Sequence, residues 1–145
     1  MKAILLVHFA VTAFMTGVIW FVQVVHYPLF NRVHGEGFSA YTAAHGRLTT
    51  WVVTVPMLVE LLTGALLFWR RPAGIGLLST TVGFALIFII WLSTFLLQVP
   101  QHTALGVGFD DAAHRTLVLT NWLRTAAWTL RSLVVLFMVS ATMEG

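Results

Sequence analysis

Hydrophobic positions run through most of this chain with few breaks, and the polar positions between them recur at helical rather than alternating spacing. Residues 3–31 contain no Asp, Glu, Lys or Arg, and neither do residues 72–109. About 20 apolar residues in a helix cross the hydrocarbon of a bilayer. These two runs, with the apolar stretches that follow Arg47 and Arg115, predict spanning helices near residues 3–27, 47–69, 74–98 and 117–143. The predicted fold class is all-α: one membrane domain over residues 1–145, built as a four-transmembrane-helix bundle. The first run is longer than the apolar core of a signal peptide and is expected to be retained.

The joints are also legible. Arg70-Arg71-Pro72-Ala73-Gly74 predicts a tight turn between the second and third helices. HGEGFSAY, residues 34–41, and TALGVGFDD, residues 103–111, read as longer loops with paired glycines. Both must lie on one side of the membrane, opposite Arg70 and Arg71. Trp51, Trp69 and Trp122 fall near predicted helix ends, where an aromatic belt would place them. Lys2 and the Arg pair favour termini in the cytoplasm of a bacterial inner membrane, although Arg32, Arg47 and Arg115 balance them on the other side.

Each helix advances about 100° per residue, so the phase of its polar positions can be read directly. On the first helix, His8, Thr12, Ile19, Gln23 and His26 share a face; on the second, His45, Thr49, Val52, Pro56, Glu60 and Thr63 do. Trp91, Thr94 and Gln98 align on the third, and His102 joins them if the helix bends past Pro100 instead of ending there. Asn121, Arg124, Thr125, Trp128, Arg131 and Ser132 form one broad face of the fourth. In lipid such polar stripes turn inward, which predicts a bundle with a polar interior.

Composition narrows the function classes. Hydrophobic residues make up 59% of the chain and charged residues 9%, against about a quarter charged in soluble domains. Most of the exterior must therefore face lipid. The formal charge of +3 is scattered with no basic run, so no nucleic acid partner is expected. The chain has no cysteine, so disulfides, thiolate ligands and a cysteine nucleophile are excluded.

The few charges inside the apolar runs carry the most chemistry. Glu60 and Arg131 both fall roughly 20 Å from the loop-rich face at 1.5 Å per residue, so an ion pair is expected. Arg124 lies about two turns nearer that face and could bridge Glu60 or meet a substrate. Two cations and one carboxylate leave one charge unpaired. The plain reading of Glu60 and Arg131 is a pair that fixes helix register. The functional reading makes Glu60, Arg124 and Arg131 a substrate or proton site, with Gln23, Gln98, Asn121 and Trp128 lining it.

Five of the six histidines, His26, His34, His45, His102 and His114, sit at the loop-rich side, whereas His8 stands alone toward the opposite end. Imidazole is the commonest metal ligand. His26, His45, His102 and His114, one from each helix, could hold Fe, Zn or Cu, and a pair of them could ligate a haem. Taken singly, each also reads as a hydrogen-bonded interfacial histidine. His26 and His45 are the strongest candidates because they share a phase with deeper polar groups. His114 is the weakest, since Asp110 and Asp111 beside it suggest a wet loop.

The halves of the chain echo each other. VQVVHYPLF, residues 22–30, closes the first helix on Gln23 and His26, and LLQVPQH, residues 96–102, closes the third on Gln98 and His102. His45, Trp51 and Glu60 are matched by His114, Trp122 and Arg131, which suggests two duplicated helical hairpins. The pattern from QVVHYPLF through the His45 and Glu60 helix to QVPQH and TNWLRTAAWTLR resembles a family of small bacterial four-helix integral membrane proteins. That resemblance covers nearly the whole chain. It groups Gln23, His26, His45, Glu60, Gln98, His102, Asn121, Arg124 and Arg131 in one constellation. The Asn-Trp-Arg cluster of the fourth helix is more distantly similar to anthrone-oxygenase-like membrane proteins, which would imply oxidation of an apolar aromatic substrate.

Three functions compete on these residues. The first is a metal- or haem-dependent oxidoreductase that takes an apolar substrate from the lipid bilayer. Here His26, His45 and His102 are ligands, Glu60 is the acid or base, and Arg124 and Asn121 hold substrate oxygen. The second is a small-molecule or ion binding or transport module, which needs a homo-oligomer to find room for alternating access. The third is a structural subunit of a membrane complex, with the buried polar groups as register devices.

Overall fold

The computed structural model describes residues 1–33 and 35–143 and is all-helical. Four helices are each long and apolar enough to cross a membrane: α1 (Lys2–Arg32), α2 (Gly37–Trp69), α3 (Leu77–Val107) and α4 (Asp111–Met143). α1 packs against α2 and α4, and α3 packs against the same two, so α1 and α3 face each other diagonally. The outer faces carry large apolar side chains such as Phe14, Leu62, Phe88 and Phe137, all exposed. This is the distribution lipid selects, and Trp51 and Trp69 are among the most exposed side chains of all.

All four helices are longer than the apolar runs alone predict. The expected loop at 34–41 is largely helix, because α2 starts at Gly37 and turns Phe38, Thr42 and His45 inward at helical spacing. α3 likewise runs on to Val107 and buries Leu105, while α4 begins at Asp111 and buries Ala113, His114 and Leu117. Asp110 stabilises that start by accepting the Ala113 N–H at 2.7 Å. The 33 residues of α2 span about 50 Å, against about 30 Å of hydrocarbon. The added turns make the helix long enough to extend past the hydrocarbon, and the tightness of the opposite joint rests on Gly74, whose φ of +86° suits glycine.

Both prolines near the loop-rich end sit within continuing helix. A proline lacks the N–H for the ladder and its ring collides with the carbonyl four residues back. The chain relieves this by widening: α1 forms a π turn over Val22–His26 and then a tight 3-10 turn over Pro28–Arg32. α3 forms a π turn over Thr94–Gln98 and resumes as α-helix at Val99–Val107. The bend past Pro100 carries His102 onward in the helix, and each π turn holds one of the two glutamines, Gln23 or Gln98.

Buried apolar side chains form three tiers along the bundle. Phe30, Phe38, Leu105 and Leu117 close the loop-rich end, Met15, Ile19, Met57 and Trp128 the middle, and Leu5, Leu67, Val135 and Met138 the other end. The polar stripes do turn inward: His8, Thr12, Gln23, Glu60, Asn121, Thr125 and Arg131 are all buried. One assignment of phase needs correction, because Val52 is exposed and Met57 takes the inward position on α2. A residue such as Val can occupy the edge of an apolar stripe facing lipid at no cost, so phase alone does not place it.

Candidate functional site

The inward polar groups divide into two layers of different character. The deeper layer centres on Glu60. One carboxylate oxygen of Glu60 receives Arg131 Nε at 2.9 Å and the Thr12 hydroxyl at 2.8 Å. The other receives the Trp128 indole N–H at 3.1 Å. Arg131 also donates to the Gly83 carbonyl and lies 2.7 Å from His8 Nε2. The expected ion pair is thus present, with both side chains essentially excluded from solvent and lipid.

His8, read from the sequence as standing alone, belongs to this layer. Its Nδ1 meets the Thr63 hydroxyl at 2.6 Å while its Nε2 faces Arg131. Gly64 makes room for it, since a Cβ there would collide with Ile87 and press on the His8 ring. Free space beside Arg131 amounts to about 10 Å³, roughly the minimum for one water. Glu60 and Arg131 therefore hold all four spans in register within a saturated network. Arg124 does not bridge to Glu60.

The upper layer, toward the loop-rich end, is assembled differently. A one-way chain of hydrogen bonds fixes its amides. Gln23 donates to the Val118 carbonyl at 3.1 Å, so its oxygen faces Asn121 Nδ2 at 2.9 Å. The oxygen of Asn121 in turn accepts from Arg124 Nη1 at 3.2 Å. Arg124 also stacks over Trp128, its guanidinium carbon 5.2 Å from the ring centroid.

The histidines of three spans meet beside this chain. His26 Nε2 and His45 Nδ1 are 2.6 Å apart, and the His45 and His102 rings have centroids 5.4 Å apart. His102 Nε2 is 2.9 Å from the Tyr27 hydroxyl, which ties α1 to α3 across the diagonal. His45 Nδ1 also meets the Thr49 hydroxyl at 3.2 Å. Its Nε2 takes no hydrogen bond from the described residues.

His114 stands apart from the other three. It is buried, not in a wet loop, and its Nε2 donates to the Tyr27 carbonyl at 2.8 Å. The ring of Phe30, fully buried, occupies the centre of the four imidazoles. Among the described residues no three His, Asp or Glu side chains form a ready metal-holding group. His34 lies outside the described residues.

Two cavities border the upper layer. The larger, about 840 Å³, lies between α1 and α2 and is lined by Phe14, Gly17, Phe21, Leu48, Val52 and the imidazoles of His26 and His45. Since Phe14, Phe21, Leu48 and Val52 are exposed on the lipid-facing surface, this cavity opens sideways to the bilayer. The smaller, about 370 Å³, is lined by Tyr27, His45, Thr49, Gln98, His102 and Arg124 among others. The two share Val18, Val22, His45, Thr49 and Val53 as walls. Both volumes suit a small molecule.

Of the residues expected to act together, Gln23, Asn121 and Arg124 form one hydrogen-bonded chain. His26, His45 and His102 form one cluster, and Arg124, Gln98, His45 and His102 border one cavity. Glu60, Trp128 and Arg131 belong to the closed layer below, with Trp128 touching Arg124 from there. Tyr27 was missed by phase counting. The π turn places the Tyr27 N–H on the Val22 carbonyl, five residues back, at 2.9 Å. That extra residue per turn rotates Tyr27 inward, where uniform helix would not.

These observations define a four-helix membrane protein with two mainly apolar cavities at one end, bordered by imidazoles. Comparison with protein-family models, curated proteins and solved structures finds no match to the chain.

Proposed function

We propose that this protein binds a small, mainly apolar molecule that reaches it from the bilayer and acts on it at the imidazole wall of His26, His45 and His102. One observation carries the reading: His26 and His45 border the larger cavity, which opens at the apolar outer face, and His45 and His102 border the smaller one that shares its walls, while the Glu60–Arg131 layer below is closed. The apolar walls take the body of the molecule. His45 Nε2, with no bond from the described residues, is the nitrogen best placed to exchange a proton with it or hold it. The resemblance to anthrone-oxygenase-like proteins would imply oxidation of the bound molecule, in which the imidazoles could move only the proton and an oxidant from outside the chain would have to take the electrons. The site lies opposite Arg70 and Arg71, which corresponds to the outer face of a bacterial inner membrane when the termini are cytoplasmic.

Gly17 provides the test. It lines the larger cavity and a side chain there would meet open space. Gly17→Phe should fill the cavity while the bundle folds normally. Mass spectrometry of the protein released from native-lipid particles should find a small molecule on the wild type and roughly tenfold less on Gly17→Phe, the loss of a blocked apolar pocket. Equal retention, or none in the wild type, would contradict the reading.

The close approach of His26 to His45, with His102 beside them, motivates a second reading, a transition metal at these three residues once they rearrange from the arrangement seen, which is not a ready metal-holding group. The His26 and His45 rings have centroids 4.5 Å apart, and the donor set suits Zn, Cu or Fe. Tetrahedral ligands at 2.0–2.1 Å would hold their nitrogens about 3.3 Å apart. The His26–His45 contact of 2.6 Å would have to open by the difference. A haem fits less well, because its plane would have to separate a pair of rings that touch. Elemental analysis should then give stoichiometric metal, lost in His45→Ala; a metal-free wild type excludes this version.

A further inference from the structure

Two residues that line the smaller cavity each carry a buried polar atom with no partner among the described residues, the Nε of Arg124 and the Oε1 of Gln98. Both side chains are more than nine-tenths buried. Neither orphan is an accident of how an amide was turned. The Thr120 hydroxyl donates to the Thr116 carbonyl at 2.7 Å, so toward Gln98 it can only accept. It takes the Gln98 Nε2–H at 2.8 Å, which leaves Oε1 on the other side facing no donor. Arg124 is oriented with equal firmness, since the chain from Val118 through Gln23 and Asn121 presents a carbonyl oxygen to its Nη1 and nothing to its Nε.

The charge is unmatched as well. The ion pair found among the described residues joins Glu60 to Arg131, which leaves Arg124 with neutral neighbours, the Asn121 amide, the Tyr27 hydroxyl and the face of Trp128. A buried cation without a counter-charge is strongly disfavoured, and a buried donor without an acceptor adds to the cost. The protein tolerates both at the wall of a cavity of about 370 Å³ whose other walls include Met15, Val18, Ile19 and Val53.

From this we infer that the molecule bound in the smaller cavity is an anionic amphiphile. Its acidic oxygen accepts from Arg124 Nε, and a hydroxyl beside that oxygen donates to Gln98 Oε1. The inference rests on the proposed lipid-fed pocket and adds the chemical class of what it takes. A free acid and the headgroup of an anionic lipid share this chemistry.

Binding can be measured in phosphatidylcholine nanodiscs with four probes of one chain length: dodecanoic acid, its α-hydroxy derivative, dodecan-1-ol and methyl dodecanoate. The acid should bind at least about tenfold tighter than the alcohol and the ester, as a charge-assisted contact requires. The α-hydroxy acid should gain a further severalfold. Arg124→Leu should erase the preference for the acid and Arg124→Lys should keep most of it. Gln98→Leu should erase only the gain from the hydroxyl. Adding phosphatidylglycerol to the nanodisc assigns the natural anion to a lipid if the acid is displaced and to a free acid if it is not, and either result supports the class. Equal affinity for acid, alcohol and ester in the wild type overturns the inference and leaves the pocket standing. No binding of any probe overturns the pocket itself.

Discussion

Arg131→Met is expected to cost about 3–5 kcal/mol of stability, the usual penalty for stranding one member of a buried ion pair. The substitution leaves the Glu60 carboxylate with only the Thr12 hydroxyl and the Trp128 indole, and it strips the Gly83 carbonyl and His8 Nε2 of their partner. The gap beside the pair, about 10 Å³, has room for one water at most, too little to solvate a stranded carboxylate. Loss of folded protein in detergent, read as a large drop in Tm, is the expected result. Glu60→Gln should cost less, because an amide can still accept from Arg131 Nε. The double variant Glu60→Leu with Arg131→Leu should recover part of the loss, as apolar replacement of a buried pair often does, while the cycle reports the coupling. An Arg131→Met protein as stable as the wild type would show that this layer does not hold the bundle together.

His45→Ala should do the reverse: remove function and spare the fold. His45 joins α1 through His26, packs near His102 and lines both cavities. It is also bordered by open space, so its loss leaves a hole that lipid or solvent can reach and not a sealed void. The cost in stability should stay near 1 kcal/mol, the common scale for a point substitution. Retention of the bound molecule, or turnover once the substrate is known, should fall by about 10²-fold, the range for losing an acid–base or ligand group. His114→Ala is the control, because its Nε2 is committed to the Tyr27 carbonyl and lies outside the cluster. Equal loss of function in the two variants would dissolve the distinction between a reactive wall and a structural histidine.

The bundle and its polar stripes were readable in the chain because lipid imposes simple conditions. An uninterrupted apolar run must span, and a polar residue within it must face inward. Glu60 and Arg131 were paired by depth alone, and His26, His45 and His102 were brought together by the side of the membrane on which their helices end. What the chain concealed was rotation and reach. Two π turns, at Val22–His26 and Thr94–Gln98, add a residue to the turn and shift everything beyond them. Tyr27 became an inward group for that reason. The helices also outrun their apolar segments, since Phe38, Leu105 and Leu117 bury against each other without needing lipid. The phase of His8 on the inward face was legible, but its company was not, because its partner lies 123 positions away on α4 and its room comes from Gly64 on α2. Neither fact has a local signal. The missing counter-charge of Arg124 was countable in the sequence, but the facing orphan on Gln98 depends on a hydroxyl of another helix.

The central claim is that the imidazole layer is an open, lipid-fed pocket and the Glu60 layer a closed scaffold. The chain has no cysteine, so single cysteines can report access without background. Thr49 lines both upper cavities, and Thr12 is fully buried against Glu60. The direct measurement is the rate of N-ethylmaleimide labelling of Thr49→Cys and Thr12→Cys in nanodiscs. Thr49→Cys should react at least about tenfold faster, as expected for a thiol at a cavity wall against one in a packed core, and dodecanoic acid should slow it. Equal rates, or faster labelling of Thr12→Cys, would contradict the account.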